Sequence, residues 1–213
     1  MTDRALYDPD CVRCQRLARF LRETRARHPD YWARPVPSLG AAQPRIVIIG
    51  LAPGMHGANR TGRPFVGDYA GVLLYRTLHA AGLASRPVAV ARGDGPQLRR
   101  TRIINSVKCV PPQNKPTSEE IRNCNTYLRA ELGGLARVRV VIALGRIAHE
   151  AFLRASGLKR SAFPFGHGHE HALEGGRTLI DSYHCSRYNT STGRLTEPMF
   201  RRVIRRARVL ADA

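Results

Sequence analysis

Short apolar runs alternate along this chain with longer stretches whose apolar residues recur at helical spacing. β-Branched runs at Arg45–Gly50, Thr101–Val107, Val138–Leu144 and Thr178–Ser182 predict four buried strands. Between them lie helical patterns. One carries Leu17, Phe20 and Leu21 and runs to about Arg27. Another spans Tyr69–Ala81, with Val72, Leu73, Tyr75 and Leu78 on one side and Gly82 ending it. Thr117, with Glu120 three positions on, has the spacing of a capping box and starts a helix through Cys124. Ile147–Ala155 and a last helix from about Pro198 to the end complete the set. Residues 84–99, including Gly93-Asp94-Gly95, read as a loop with room for one short strand, and Tyr31–Pro44 as a proline-rich connector anchored by Trp32. No repeat or long linker interrupts this order. The expectation is α/β: one domain over residues 1–213, with a central four-stranded, mainly parallel sheet and helices on both faces.

Charge narrows the partner. Lys and Arg number 35 against 16 Asp and Glu, a net +19 spread through foldable segments and not gathered in a tail. Such a balance suits a polyanion. Nucleic acid is favoured over a membrane, because the basic helices lack a lipid-facing apolar stripe and no long apolar span exists. The amino-terminal MTDRALYDPDC has neither the basic nor the apolar region of a signal peptide, which points to the cytoplasm of a prokaryote, with action at the nucleoid. The five cysteines then suggest metal or redox use over a disulfide framework.

Two stretches carry candidate chemistry. The loop GLAPGMHGANRTGRPFVGD, Gly50 to Asp68, follows the first strand directly and brings His56, Asn59, Arg60, Arg63, Phe65 and Asp68 to a strand's carboxyl end. Open parallel sheets bind ligands there. Its glycines permit a ligand to approach the backbone closely, so Gly50, Ala52 and Gly54 are candidate contacts. The cysteines form the second constellation: Cys11 and Cys14 in a CxxC, Cys109 after 94 intervening residues, and Cys124 after 14 more. Four thiolates suit either an iron-sulfur cluster or a zinc ion. The alternating histidines of HGHEH, His167, His169 and His171, read more simply as a solvated hairpin face than as a metal site.

The first loop, the cysteine quartet, INSVKCVPP and YHCSRYNTSTGRLT occur in one order from about Asp10 to the carboxyl terminus. Together they resemble the uracil-DNA glycosylase superfamily, specifically its iron-sulfur branch, family 5 or type B. The resemblance implies a monofunctional DNA repair enzyme. It would extrude uracil, and other deaminated bases such as hypoxanthine, and cut the base from deoxyribose to leave an abasic site. It implies a [4Fe-4S] cluster on Cys11, Cys14, Cys109 and Cys124, Phe65 stacking on the base, and His184 facing the base O2. Asn105 has the donor and acceptor needed for the edge of uracil. Arg187 and Tyr188 follow on a loop that approaches DNA in relatives, with Tyr188 a candidate to fill the gap left by the base. A monomer is expected.

Two departures stand out. Leu51 and Ala52 occupy positions where other families carry a water-activating polar residue, an absence that family 5 shares. Asn59 is then the first candidate to position water; Asp68 is the second, either stabilising a cationic sugar or capping the next helix. Cys185 stands where the family has Pro after the histidine, and reads as a packing residue. The competing functions are a non-catalytic iron-sulfur DNA-binding module and, more remotely, a phosphoesterase built on HGHEH.

Overall fold

The computed structural model describes residues 6–91, 93 and 96–213. The reading of the first five residues, and of Asp94 and Gly95 as loop, falls outside them. The elements run α1 (Gln15–Arg27), β1 (Leu39–Gly40), β2 (Ile46–Gly50), α2 (Ala58–Thr61), α3 (Tyr69–Ala80) and β3 (Thr101–Asn105). They continue with α4 (Ser118–Gly133), β4 (Val140–Leu144), α5 (Arg146–Ala155), β5 (Glu170–Leu173), β6 (Arg177–Ser182), α6 (Arg187–Ser191) and α7 (Glu197–Asp212).

The four strands expected from sequence form a parallel core in the order β3-β2-β4-β6. The strand count needs correction from four to six. Two antiparallel edge strands extend the core: β1 pairs with β3, and β5 pairs with β6. β1 is two residues long and β5 alternates exposed with half-buried residues, so neither carries an apolar run to announce it. Among the described residues between 84 and 99, an isolated bridge pairs Ala84 with Leu98.

Alternate residues of the central strands supply two cores. Ile46, Ile48, Ile103, Ile142 and Ile180 face α3 and α7 on one side; Val47, Ile49, Ile104, Val141 and Leu179 face α4 and α5 on the other. Burial on both faces is why β2 and β4 are apolar throughout. α4 starts as its sequence predicts: the Thr117 side chain accepts from the Glu120 N–H while the Glu120 carboxylate accepts from the Thr117 N–H. A third, smaller cluster joins Leu17 and Leu21 of α1 to Val107, Val110 and Tyr127 around the cysteines.

One buried polar group ties the segment after β3 to this frame. Lys108 and Glu131 are each 3% exposed, with Lys108 Nζ 3.2 Å from Glu131 Oε2 and 2.8 Å from Ser38 Oγ. Arg102 Nε donates to the other carboxylate oxygen at 2.6 Å. Burial works to raise the Glu131 carboxyl, but Lys108 and then Arg102 outweigh it and hold it below the ordinary carboxylate range. Removing one member would leave the others charged and unpaired in a dry site. Glu131→Ala is therefore expected to cost about 3–5 kcal/mol in urea unfolding, far more than an exposed pair would.

Candidate active site

Four connections meet at the carboxyl ends of the parallel strands. The order reverses between β3 and β4 on either side of β2, and such a switch point leaves a crevice between diverging loops. A cavity of about 420 Å³ lies there. Its walls include Ala52 and Gly54 after β2, Phe65 and Asp68 before α3, Asn105 at the end of β3, and His184 and Arg187 after β6.

Phe65 is held in an unusual conformation. Its φ is +61°, left-handed backbone that a bulky residue adopts at a cost of about 1–3 kcal/mol. The Tyr75 hydroxyl donates to Pro64 O at 2.8 Å and the Thr61 hydroxyl to Val66 O at 3.1 Å, bracketing the residue. Gly71 completes the grip, since a Cβ there would stand 1.8 Å from Phe65 O. The ring faces His184 with centroids 6.0 Å apart and planes inclined by 27°. Gly50 lies beneath: a Cβ would approach Asn105 Oδ1 to 2.8 Å and the Phe65 ring to 2.9 Å. Asn105 Oδ1 is buried and has no hydrogen-bond partner among the described residues. An unsatisfied buried acceptor costs about 1–3 kcal/mol and is most simply explained by a donor that arrives with a ligand.

Asp68 occupies the N-cap position of α3, yet its carboxylate makes no cap. It turns back and accepts from the Ala58 N–H at 3.1 Å, fitting against Gly54 and Gly57. Burial pushes its carboxyl up to about 6, against the opposing pull of the Ala58 N–H and Arg60. The His184 imidazole keeps part of its surface on the cavity but lies deep in the protein, and burial pushes it down to about 4. At neutral pH the pair is thus a carboxylate and a neutral imidazole.

Asn59 does not line the cavity. It is buried behind the glycine turn, its N–H donating to Gly54 O at 2.9 Å and its Nδ2 lying 3.7 Å from Met55 Sδ. His56 and Arg60 brace the same loop: Tyr31 Oη is 2.9 Å from His56 Nδ1, and Arg60 Nε donates to His56 O at 2.7 Å. Arg187 reaches the mouth and lays its guanidinium 4.7 Å over the Tyr69 ring, while Tyr188 is 72% exposed beside it. Cys185 is buried in the core with its thiol on Ala70 O. Tyr69 and Asn114 line the cavity too, and sequence reasoning passed over both. Asn114 and its neighbour Gln113 have φ of +56° and +55°. Asn tolerates that conformation, which makes the Pro-Gln-Asn-Lys-Pro turn a signal that could have been read.

Cys11, Cys14, Cys109 and Cys124 line one separate cavity, walled by Leu17, Pro35, Val107 and Tyr127. The Lys108 N–H lies 3.2 Å from Cys124 Sγ and Asn123 Nδ2 3.7 Å from Cys14 Sγ. Burial raises the thiols of Cys14 and Cys109 and pushes that of Cys124 up to about 11, in the last case against the opposing pull of Lys108. Among the described residues, three or more candidate metal ligands come within 4.8 Å of one another only at His149, His171 and Asp181. The solvated reading of HGHEH holds for His169 alone: His171 turns inward to Asp181, and His167 stacks on Tyr183.

Fold and cavity define an α/β domain with a crevice at the carboxyl ends of its parallel strands. Residues 37–208 match the sequence model of the Uracil DNA glycosylase superfamily, and the chain belongs to that superfamily. It is 50% identical over 206 residues to the type-5 uracil-DNA glycosylase of Thermus thermophilus, with 94% of each chain covered. It is 42% identical over 223 positions to that of Pyrobaculum aerophilum, covering all of this chain and 96% of the relative. Against the type-5 enzyme of Mycobacterium bovis, identity is 43% over 209 residues, with 94% and 78% covered. No described helix is long and apolar enough to cross a membrane.

Packing around Asp68 generates a test independent of activity. A Cβ at Gly57 would lie within 1.9 Å of Asp68 Oδ1, so Gly57→Ala must drive the carboxylate from its niche. Stability should fall by about 1–3 kcal/mol. The Asp68 titration, followed by carboxyl carbon NMR, should move from about 6 toward the ordinary value.

Proposed function

We propose that this protein is a monofunctional DNA glycosylase that hydrolyses the bond between deoxyribose and uracil, and also excises hypoxanthine. The observation that carries this reading is a single cavity collecting Phe65, Asn105, Asp68 and His184, in a chain 50% identical to a type-5 uracil-DNA glycosylase. An extruded uracil would stack on Phe65. Its N3–H would satisfy the unpartnered Asn105 Oδ1, and its O4 would accept from Asn105 Nδ2. A neutral His184 would donate an N–H to O2 as the base leaves with the bonding electrons, stabilising the anion without transferring a proton.

Water attack falls to Asp68 ahead of Asn59. Both were candidates, but Asp68 lines the cavity whereas Asn59 braces the loop behind it. This carboxylate supplies what Leu51 and Ala52 lack and removes the feature that favoured a non-catalytic module. His167 and His171 of HGHEH are engaged by Tyr183 and Asp181, and none of its three histidines lines the cavity, which disfavours a phosphoesterase. Lys108, bound to Glu131 and Ser38, is unsuited to the Schiff base of a strand-cleaving lyase. Arg187 and Tyr188, exposed at the mouth, suit contacts to the DNA backbone and the vacated stack. A monomer in a prokaryotic cytoplasm, acting on lesion-bearing DNA, fits this reading.

The cysteine cavity gathers four thiols, a ligand set that suits the [4Fe-4S] cluster we assign to it, with zinc the alternative. The apolar wall and the N–H groups of Lys108 and Asn123 are features that stabilise bound clusters. When bound, the cluster would tie α1 to the segment after β3. Protein purified without oxygen should be brown and carry about four irons per chain. A colourless folded protein holding one zinc would refute the assignment.

Single-turnover excision of uracil and hypoxanthine from matched and mismatched duplexes tests the function. The sign of the pH dependence follows from the two shifts. His184 stays neutral above about 4, while Asp68 gains its charge as pH rises through about 6. Excision should therefore climb between pH 5 and 7 and level off above, and Asp68→Asn should abolish that rise and slow uracil excision by about 100-fold or more. No excision of either base in any context would overturn the reading.

A further inference from the structure

The histidine-rich hairpin converges on three residues, Asp181, Ser182 and Tyr183, that deliver His184 to the cavity. His167 Nδ1 accepts the Tyr183 N–H at 3.1 Å, and its ring stacks on Tyr183 with centroids 5.1 Å apart and planes within 21°. On the backbone, the Asp181 N–H donates to His169 O at 3.0 Å and the Gly168 N–H to Asp181 O at 2.8 Å. The Asp181 carboxylate is fully buried. It faces His149 Nδ1 at 2.7 Å, His171 Nε2 at 3.2 Å and the Gly166 N–H at 3.3 Å.

Hydrogen-bond chemistry decides what this group is for. His149 faces an oxygen at each nitrogen, since Nε2 lies 2.9 Å from Phe163 O. Both ring nitrogens are thus engaged by protein oxygens, which leaves neither free for a metal ion. His167 is the opposite case. It accepts a backbone N–H at Nδ1, so its proton sits on Nε2 and the ring is neutral; burial and then Arg202 favour that form. Neither histidine is spent on solvent.

We propose that this hairpin is a positioning splint for His184: His167 fixes the peptide one residue before it, and Asp181, gripped by His149 and His171, fixes the end of β6. The proposal rests on the reading that His184 acts on the departing base. A small rotation of the Tyr183 peptide would turn His184 away from Phe65, and misplacement of about 1 Å can cost about 100-fold in rate. Tyr183 is held on a second side by Arg194, 4.6 Å over its ring.

The test separates positioning from stability. His167→Phe keeps a ring against Tyr183 but removes the acceptor; His167→Asn restores an acceptor oxygen near the place of Nδ1. With enzyme saturating over a G·U duplex, H167F should excise uracil about tenfold more slowly and H167N at close to the wild-type rate. Binding to DNA with an uncleavable abasic analogue should be unchanged in both. Because the effect passes through His184, H167F should cause no further loss in a His184→Ala background. Should H167F fail to fold, His171→Phe, which removes one donor to Asp181, runs the same cycle with the same expectation. H184A at full speed would defeat the reading of His184 itself. With H184A slow, the splint is overturned if the hairpin variant is as fast as wild type, or if it slows excision equally with and without His184.

Discussion

The left-handed backbone of Phe65 is the constraint around which the cavity is built. A bulky residue stays there only if its neighbours outweigh the strain, and they do so from both sides through Tyr75 on Pro64, Thr61 on Val66, and the missing side chain of Gly71. The same conformation brings the ring close over Gly50, where no other residue would fit. Gly50 pairs with Asn105 in the parallel register of β2 and β3, so ring, glycine and amide share one fixed geometry. The GLAPGMHG loop owes its glycines to these approaches: Gly50 yields to Phe65, and Gly54 and Gly57 yield to the Asp68 carboxylate.

Burial then sorts the two ionisable groups of the cavity. Desolvation disfavours charge on either, raising Asp68 to about 6 and lowering His184 to about 4. What matters at neutral pH is that both values lie below 7, which leaves the carboxyl ionised and the imidazole uncharged. Were the histidine to titrate above 7, the pair would exist at neutral pH as an imidazolium beside a carboxylate, each neutralising the other. As it stands, one group carries a negative charge and the other offers an uncharged donor, the division that the proposed chemistry would use, and environments that push neighbouring groups toward different protonation states are how acid-base roles are assigned.

What could be read from the chain follows from burial. Strands covered on both faces show as continuous β-branched runs, so β2, β3, β4 and β6 were legible, as was the Thr117–Glu120 box that starts α4. β1 and β5 were not, because an edge strand of two or four residues with a mixed pattern has no period to detect. At the site, Phe65, Asp68, Asn105 and His184 were legible from motif and order. Tyr69 and Asn114 were not, because only the turn of the chain brings them to the cavity. Asp181 hid inside an apolar strand, and its partner His149 looked like a helix residue; their pairing joins positions 32 apart in the chain. Asp68 shows the limit most clearly, since spacing marked an N-cap and only the glycine niche reveals where the carboxylate goes.

The cysteine cavity and the base cavity are not independent parts. Asn105 ends β3, Cys109 follows four residues later, and Pro112–Asn114 then turns back to the mouth of the base cavity. That short path has few regular hydrogen bonds of its own. It is held instead by Ser106 N–H on Gly50 O, Val107 N–H on Leu51 O, the Lys108–Glu131 pair, and the apolar packing of α1 around the thiols. Four sulfurs anchored at the back of this path would stiffen it where secondary structure does not, and the amide that ends β3 would inherit that stiffness. α1, added before the sheet begins, thus bears on the cavity at the strand ends without lining it, because the residues that it clamps are those immediately beyond Asn105.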